Sequence, residues 1–218
     1  MCFSASASFT ASAILFPLGL YAVVKSLKSN PSYVLLMCIP ILFGIQQFSE
    51  GLIWITLHHT NPFLLSWSTW LYLLTAFCIW PIYFPLALYH LESNRQRKKW
   101  LLLMVLFGCC LSPLLFMKSY GAKAQLEHQS ITYFIDQALY SEYIFTLCYL
   151  LLFLLSSFIC SIKSVRLFGI LLLLSFLVSS IWFLYAFASV WCYFSAVESL
   201  IIVYIATTLK KTQVKKVR

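Results

Sequence analysis

The residues best suited to chemistry lie within one apolar stretch, Phe43 to His59, which is otherwise typical of a membrane-spanning helix. Within this stretch Gln47 and Glu50 lie on one helical face, and Gln46 lies beside Glu50. Polar and acidic side chains are costly inside a bilayer, so they are usually paired there and often functional. We therefore expect a binding or reaction site around this stretch.

A second acidic residue, Glu198, lies in the last apolar stretch and matches Glu50 in predicted depth. Each is about seven residues from the outer end of its helix, hence roughly 10 Å deep. Tryptophan shares the helical face of each carboxyl. We therefore predict that the two acids belong to one outward-facing pocket. The residues predicted to line it are Glu50, Glu198, Gln46, Gln47, Trp54, Ser195 and Trp191.

The first apolar stretch carries small residues that favour close helix packing. Ser4, Ser8 and Ser12 recur every four residues, with alanines between them. Small side chains allow transmembrane helices to approach closely. We predict that the first, second and seventh helices meet and enclose the pocket.

A metal site is an alternative for the same region. His58 and His59 end the second apolar stretch, and imidazole is a common metal ligand. Removal of Met1 would leave Cys2 with a free α-amine, a pair that can chelate a metal or act as a nucleophile. Glu50 would then be a fourth ligand residue. The competing interpretation is that the histidines are solvated and Cys2 is an ordinary terminus.

The composition places this site inside a membrane protein. The 218 residues are 62% hydrophobic and 10% charged, with a mean hydropathy of +0.90. Soluble domains are about 45–50% apolar and about 25% charged. So few polar side chains could not cover a water-soluble fold. The composition thus predicts a single all-α, polytopic membrane domain spanning residues 1–218.

Seven transmembrane helices account for the apolar runs. The run from Leu167 to Thr208 has about 42 residues, enough for two crossings, and we place its turn near residues 186–190. Pro81 and Pro85 should distort the third helix. The predicted spans are about residues 5–24, 33–57, 66–89, 100–117, 143–161, 167–186 and 190–208.

The distribution of charge predicts an N terminus outside and a cytoplasmic C terminus. With that orientation thirteen of the fifteen Lys and Arg residues lie inside, including the basic tail 210–218, and only Lys118 and Lys123 lie outside. The net charge of +9 is then explained by the anionic inner leaflet, without nucleic acid. The inner basic residues are Lys25, Lys28, Arg95, Arg97, Lys98, Lys99, Lys163, Arg166, Lys210, Lys211, Lys215, Lys216 and Arg218.

The one long connection, residues 118–142, is predicted to be an outer loop. Within it Tyr133, Asp136 and Tyr140 are spaced at i, i+3 and i+7, which indicates a short amphipathic helix. Such a segment is well placed to fold over the pocket as a lid.

Three motifs carry a resemblance to a known family. The chain opens with Met-Cys-Phe-Ser-Ala, continues with Phe-Gly-Ile-Gln-Gln-Phe-Ser-Glu-Gly at 43–51, and contains Trp-Cys-Tyr-Phe at 191–194. It resembles a family of uncharacterised bacterial multi-span membrane proteins (a domain of unknown function) whose members open with Met-Cys-Phe-Ser-Ala. The resemblance implies a bacterial inner-membrane location and one site shared by the first helix, Glu50 and the Trp-Cys pair. It implies no activity.

Three functions are compatible with these residues. The first is a receptor, carrier or accessory factor that binds a small polar or cationic ligand, or a metal ion, in the pocket. The second is an intramembrane enzyme, with or without a metal cofactor, that uses Glu50 with His58 or Cys2. The third is a structural subunit that packs against a protein partner or a second copy of itself.

Overall fold

The computed structural model describes residues 4–59, 61–119, 121–134 and 140–209, with the backbone alone at Lys118 and residues 140–143. Within these ranges it is a bundle of helices with one β-hairpin, β1 (Lys123–Glu127) and β2 (Ser130–Phe134). The helices are α1 (Ala5–Ser29), α2 (Pro31–His58), α3 (Pro62–Leu91), α4 (Arg95–Ser119), α5 (Tyr140–Ile159), α6 (Lys163–Trp182) and α7 (Leu184–Thr208).

Six of these helices, all but α5, are long and apolar enough to cross a membrane. The described side chains of α5 form a shorter apolar helix, Ile144–Ile159. An all-α polytopic fold is therefore confirmed, and the chain has the character of a multi-pass membrane protein. Three helices contain breaks: α2 bends at Cys38, α3 has a π-helical turn at Leu74–Ile79, and α7 is interrupted at Ser199.

The predicted helix in the outer loop is wrong where the structure describes it. Tyr133 lies on β2, which pairs antiparallel with β1, and Asp136 lies outside the described residues. His128 and Gln129 both have positive φ, as a two-residue type I′ hairpin turn requires. Ser130–Phe134 is rich in β-branched and aromatic residues, which favour a strand. Three residues at helical spacing are too few to distinguish a helix from a strand.

The turn between α6 and α7 lies earlier than the predicted residues 186–190. The backbone leaves the helix at Phe183, and α7 begins with a 3₁₀ turn at Leu184–Ala186. This shift brings residues near 189 inside the helix, whereas the sequence analysis placed them in the turn. It changes which face of α7 meets the rest of the bundle.

Helices α1, α2 and α7 meet, as predicted. A stripe of small residues on α1, including Ser8, Ser12 and Gly19, is buried. A Cβ atom at Gly19 would lie 2.6 Å from the Ile41 side chain, so the α1 and α2 backbones pack closely. At the far end of α1, Lys25 Nζ donates to the Thr207 carbonyl oxygen of α7 at 3.1 Å.

Prolines shape α3 through the carbonyl groups that they leave without donors. In the π turn, the Trp80 N–H bonds the Thr75 carbonyl five residues back. The next pair would join Ala76 to Pro81, but proline has no N–H. The Tyr149 hydroxyl of α5 donates to the Ala76 carbonyl instead, at 2.7 Å. Side chains of neighbouring helices thus replace donors that a bilayer cannot supply.

The contact between α3 and α4 depends on a second proline and a glycine. Pro85 lacks the N–H that would bond the Pro81 carbonyl within the helix. Gly108 of α4 packs directly against that carbonyl, and a Cβ atom at Gly108 would overlap it. The two backbones therefore touch at a position where a side chain has no room.

Glu92 joins two turns at the end of the bundle that carries most of the basic residues. It is 5% exposed and accepts hydrogen bonds from the Asn94 N–H at 2.9 Å and the Ser161 N–H at 2.7 Å. The Ser161 hydroxyl also donates to it, at 2.8 Å, and accepts from Arg97. Burial alone would raise the pKa of Glu92, but these donors and the Arg97 charge lower it below its ordinary value.

Glu92→Gln should lower the free energy of unfolding near neutral pH by about 1–3 kcal/mol, because buried donors lose their acceptor. Since the pKa of Glu92 is lowered in the folded state, its contribution is complete above the unfolded value of about 4.3 and disappears as the pH falls through the folded value. Thermal unfolding of protein in lipid nanodiscs between pH 3 and 7 measures this. Glu127→Gln, in the hairpin, is the control. A difference from wild type that is the same at every pH would contradict the assignment.

Candidate functional site

The Glu50 side chain lies in the core of the bundle, 1% exposed, and is held by two helices. Gln47 Nε2, one turn earlier on α2, donates to Glu50 Oε2 at 3.2 Å. The Ser189 hydroxyl of α7 donates to Glu50 Oε1 in a short hydrogen bond. The carboxyl therefore connects α2 to α7 directly.

Gln46 connects the same region of α2 to α3. Its Oε1 atom accepts a hydrogen bond from Trp80 Nε1 at 2.7 Å, and the Trp80 ring packs on Phe43 with ring centroids 4.1 Å apart. We call Gln46, Gln47, Glu50 and Ser189 the Glu50 cluster. Three of its members were predicted from sequence, and Ser189 was not.

Aromatic residues cover the Glu50 cluster on its hairpin side. Tyr72 of α3 is fully buried and donates its hydroxyl to the Ala188 carbonyl oxygen at 3.0 Å. Tyr133 of the hairpin stacks on Tyr72 with ring centroids 4.8 Å apart. Cys192 of α7 lies beside Tyr72 and Gln46. The hairpin thus closes over this part of the bundle.

Several polar atoms in this region are buried without a hydrogen-bond partner. They are Gln47 Oε1, Trp54 Nε1 and Thr69 Oγ1. Most buried polar atoms in proteins have a partner, and each unpaired one costs about 1–3 kcal/mol. Their concentration on α2 and α3 leaves this part of the bundle with polar atoms that can form further hydrogen bonds.

Glu198 does not join Glu50. It is nine residues beyond Ser189, about 13 Å further along the helix, and it lies beside Ser175 of α6. Trp191 also turns to α6, where its Nε1 donates to the Leu172 carbonyl at 3.2 Å.

The face of α7 explains this difference. Ser189 and Cys192 are three residues apart and face α2 and α3, whereas Trp191, Ser195 and Glu198 follow the α6 face, about 120° away around the helix. Ser195 bonds only the Trp191 carbonyl of its own helix. The hydrogen bonds of the cluster therefore join α2, α3 and α7, whereas the sequence predicted a pocket between α1, α2 and α7. The spacing of Ser189 and Cys192 was the available signal, but the predicted turn at residues 186–190 placed Ser189 outside the helix.

The proposed metal ligands are not brought together within the described residues. His58 and His59 are exposed at the end of α2, eight and nine residues from the buried Glu50. Cys2 lies outside the described residues. No group of three or more His, Cys, Asp and Glu side chains in the described part of the chain is arranged to hold a metal ion.

Two cavities adjoin α7 near the Glu50 cluster. The first, about 220 Å³, is bounded by the hairpin, α3, α4, α5 and the start of α7. The second, about 100 Å³, lies deeper and ends at Trp191 and Cys192. They share lining residues, among them Phe77, Phe145 and Phe187, so we treat them as one outer cavity.

The fold is that of a polytopic α-helical membrane protein, and the Glu50 cluster is buried between its helices. Over residues 1–217 the chain matches a family of unknown function (DUF6629), and it belongs to that family. No curated protein and no solved structure matches it. The match covers almost the whole chain, as the sequence resemblance implied.

Ser189→Ala should lower the free energy of unfolding by about 1–3 kcal/mol, because it leaves a buried carboxyl oxygen without its donor from α7. Ser195→Ala is the matched control, since that hydroxyl bonds only its own helix and its loss should cost much less. Thermal unfolding of both variants in the same nanodiscs provides the comparison. Equal losses would show that the Ser189–Glu50 bond does not hold α7 in place.

Proposed function

We propose that this protein is a bacterial inner-membrane receptor, carrier or accessory factor that binds a small polar or cationic ligand at the Glu50 cluster. The observation that carries the proposal is the unused hydrogen-bond acceptor capacity of Glu50 and Gln47. A carboxylate can accept about four hydrogen bonds, and Glu50 has two donors, while Gln47 Oε1 has none. A ligand that brings donors or positive charge would satisfy these oxygens.

The donor set favours a hard cation or an ammonium group over a transition metal. Glu50, Gln47 and Ser189 offer oxygen atoms, which Na⁺, Ca²⁺ and ammonium groups prefer. Zinc and copper sites are built from imidazole and thiolate ligands, and the two histidines of α2 are at its exposed end. The position of His58, exposed at the end of α2 and eight residues from the buried Glu50, weakens the alternative of an enzyme that pairs these two residues.

We further propose seven crossings, with the N terminus and the hairpin outside. Arg95, Arg97, Lys163 and Arg166 belong to the turns that Glu92 ties together at one end of the bundle. The hairpin and the exposed Lys123 are at the other end. The excess of basic residues at the first end supports a cytoplasmic assignment for it.

Lys123→Cys and Lys163→Cys test the orientation, because both positions are exposed and lie at opposite ends of the bundle. In intact bacteria, a membrane-impermeant maleimide should label Lys123→Cys above the background of the parent chain. Lys163→Cys should be labelled only after lysis. The reverse pattern would invert the orientation, and labelling of both in intact cells would contradict an odd number of crossings between them.

Glu50→Gln tests the binding site. In nanodiscs, Na⁺ or methylammonium should raise the unfolding temperature of the wild type and of Glu198→Gln, but not of Glu50→Gln. At a hundredfold excess over the dissociation constant, the stabilisation should be about 2.7 kcal/mol. Zn²⁺ is the comparison ligand. A shift that survives in Glu50→Gln, or no shift with any of the three cations, would rule out the proposed site. A shift with Zn²⁺ alone, lost in Glu50→Gln, would replace it with a metal site.

A further inference from the structure

Two arginines from different helices meet at one serine, at the end of the bundle that carries most of the basic residues. Arg97, near the start of α4, donates from Nη1 to the Ser161 hydroxyl oxygen at 2.7 Å. Arg166, near the start of α6, donates from Nη2 to the Ser161 carbonyl oxygen at 3.4 Å. Both arginine side chains are exposed. A guanidinium group has five N–H donors, so both arginines can bind an anion as well as Ser161.

The positive charge at this place is almost unopposed. Residues 92–99 and 160–166 contain six basic residues and one acidic residue, Glu92. The Glu92 oxygens already accept hydrogen bonds from Asn94 and Ser161. The N-cap of α6 is Ile162, whose side chain has no acceptor for the first N–H groups, and the first turn contains no acidic residue. Because neighbouring guanidinium groups repel each other and a helix N-terminus favours negative charge, this arrangement favours a bound anion.

An exposed apolar stripe of α5 leads to the same serine. Helix α5 contacts both α4 and α6, which carry the two arginines. The residues of the stripe recur every three or four positions and therefore share one face of the helix: Ile144, Leu147, Leu151, Leu155 and Phe158. The last of them is three residues before Ser161. The stripe thus places apolar surface directly beside the two guanidinium groups.

We propose that Arg97 and Arg166 bind the headgroup of an anionic phospholipid whose acyl chains lie along the apolar stripe of α5. The planar donor fork of each guanidinium is suited to two phosphate oxygens. A cleft of about 250 Å³, bordered by Asn94 and Ser161, has room for the rest of the headgroup. A soluble anion would use the arginines and leave the stripe uncovered, so the adjoining apolar surface favours a lipid.

This lipid site differs from the general attraction of basic residues to an anionic leaflet. That attraction depends on the number of positive charges near the membrane surface, whereas the lipid site depends on guanidinium donors at one defined place. The lipid site is also separate from the Glu50 cluster, which is buried in the core. Glu50→Gln should therefore keep the preference for an anionic lipid.

The test offers detergent-solubilised protein an equimolar mixture of phosphatidylglycerol and phosphatidylcholine with identical acyl chains. After unbound lipid is washed away, mass spectrometry of the extracted lipids gives the ratio that the protein retains. Wild-type protein should favour phosphatidylglycerol about tenfold, as one charge-assisted hydrogen bond allows. Arg166→Gln should reduce this preference to about twofold or less, since only exposed charges then remain. Lys28→Gln, which removes an exposed charge from the same end of the bundle, should retain it.

Arg166→Lys provides a second variant, because it keeps the charge and removes the donor fork. It should also weaken the preference, which a dependence on charge alone would leave unchanged. Equal retention of the two lipids by wild-type protein would overturn the proposal, and so would equal ratios in Arg166→Gln and Lys28→Gln. Inorganic phosphate in excess should not displace the lipid, and displacement would assign the arginines to a soluble anion instead. The comparison of wild type with Arg166→Lys decides the matter even if Arg166→Gln fails to fold.

Discussion

Burial of the Glu50 carboxyl is the interaction on which the arrangement of the bundle depends. A carboxyl inside a membrane protein needs donors close at hand, and here they come from α2 itself and from Ser189 of α7. Ala188, the neighbour of Ser189, accepts from Tyr72 of α3. Two adjacent residues of α7 are therefore fixed against two different helices, which sets both the rotation and the height of α7.

The backbone of α3 also needs hydrogen-bond donors from neighbouring helices. Pro81 leaves the Ala76 carbonyl without a helical donor, and Tyr149 of α5 donates to it. Ser112 of α4 donates to a second carbonyl of α3, that of Cys78, at 2.9 Å. The Tyr149 ring, held in this way, becomes a wall of the outer cavity. The need of the α3 backbone for a hydrogen-bond donor thus helps to fix the shape of the outer cavity.

Patterns that depend on a single helix were readable from the sequence. The long apolar runs, the small-residue stripe of α1 and the polar residues of α2 each form along one element. Features that depend on contacts between two elements could not be predicted from the sequence. Ser189 and Ser195 are both serines of α7, and only the position of the turn at Phe183 decides which of them meets α2. The hairpin escaped prediction because ten strand residues carry too short a pattern to exclude a helix.

The contact of Gly108 with the Pro81 carbonyl has a consequence for how this sequence can change. Tolerance of position 108 to a side chain is decided by α3, because the Pro81 carbonyl occupies the space that a Cβ atom would need. Glycine at position 108 is therefore required by a backbone atom of another helix and not by the geometry of its own helix.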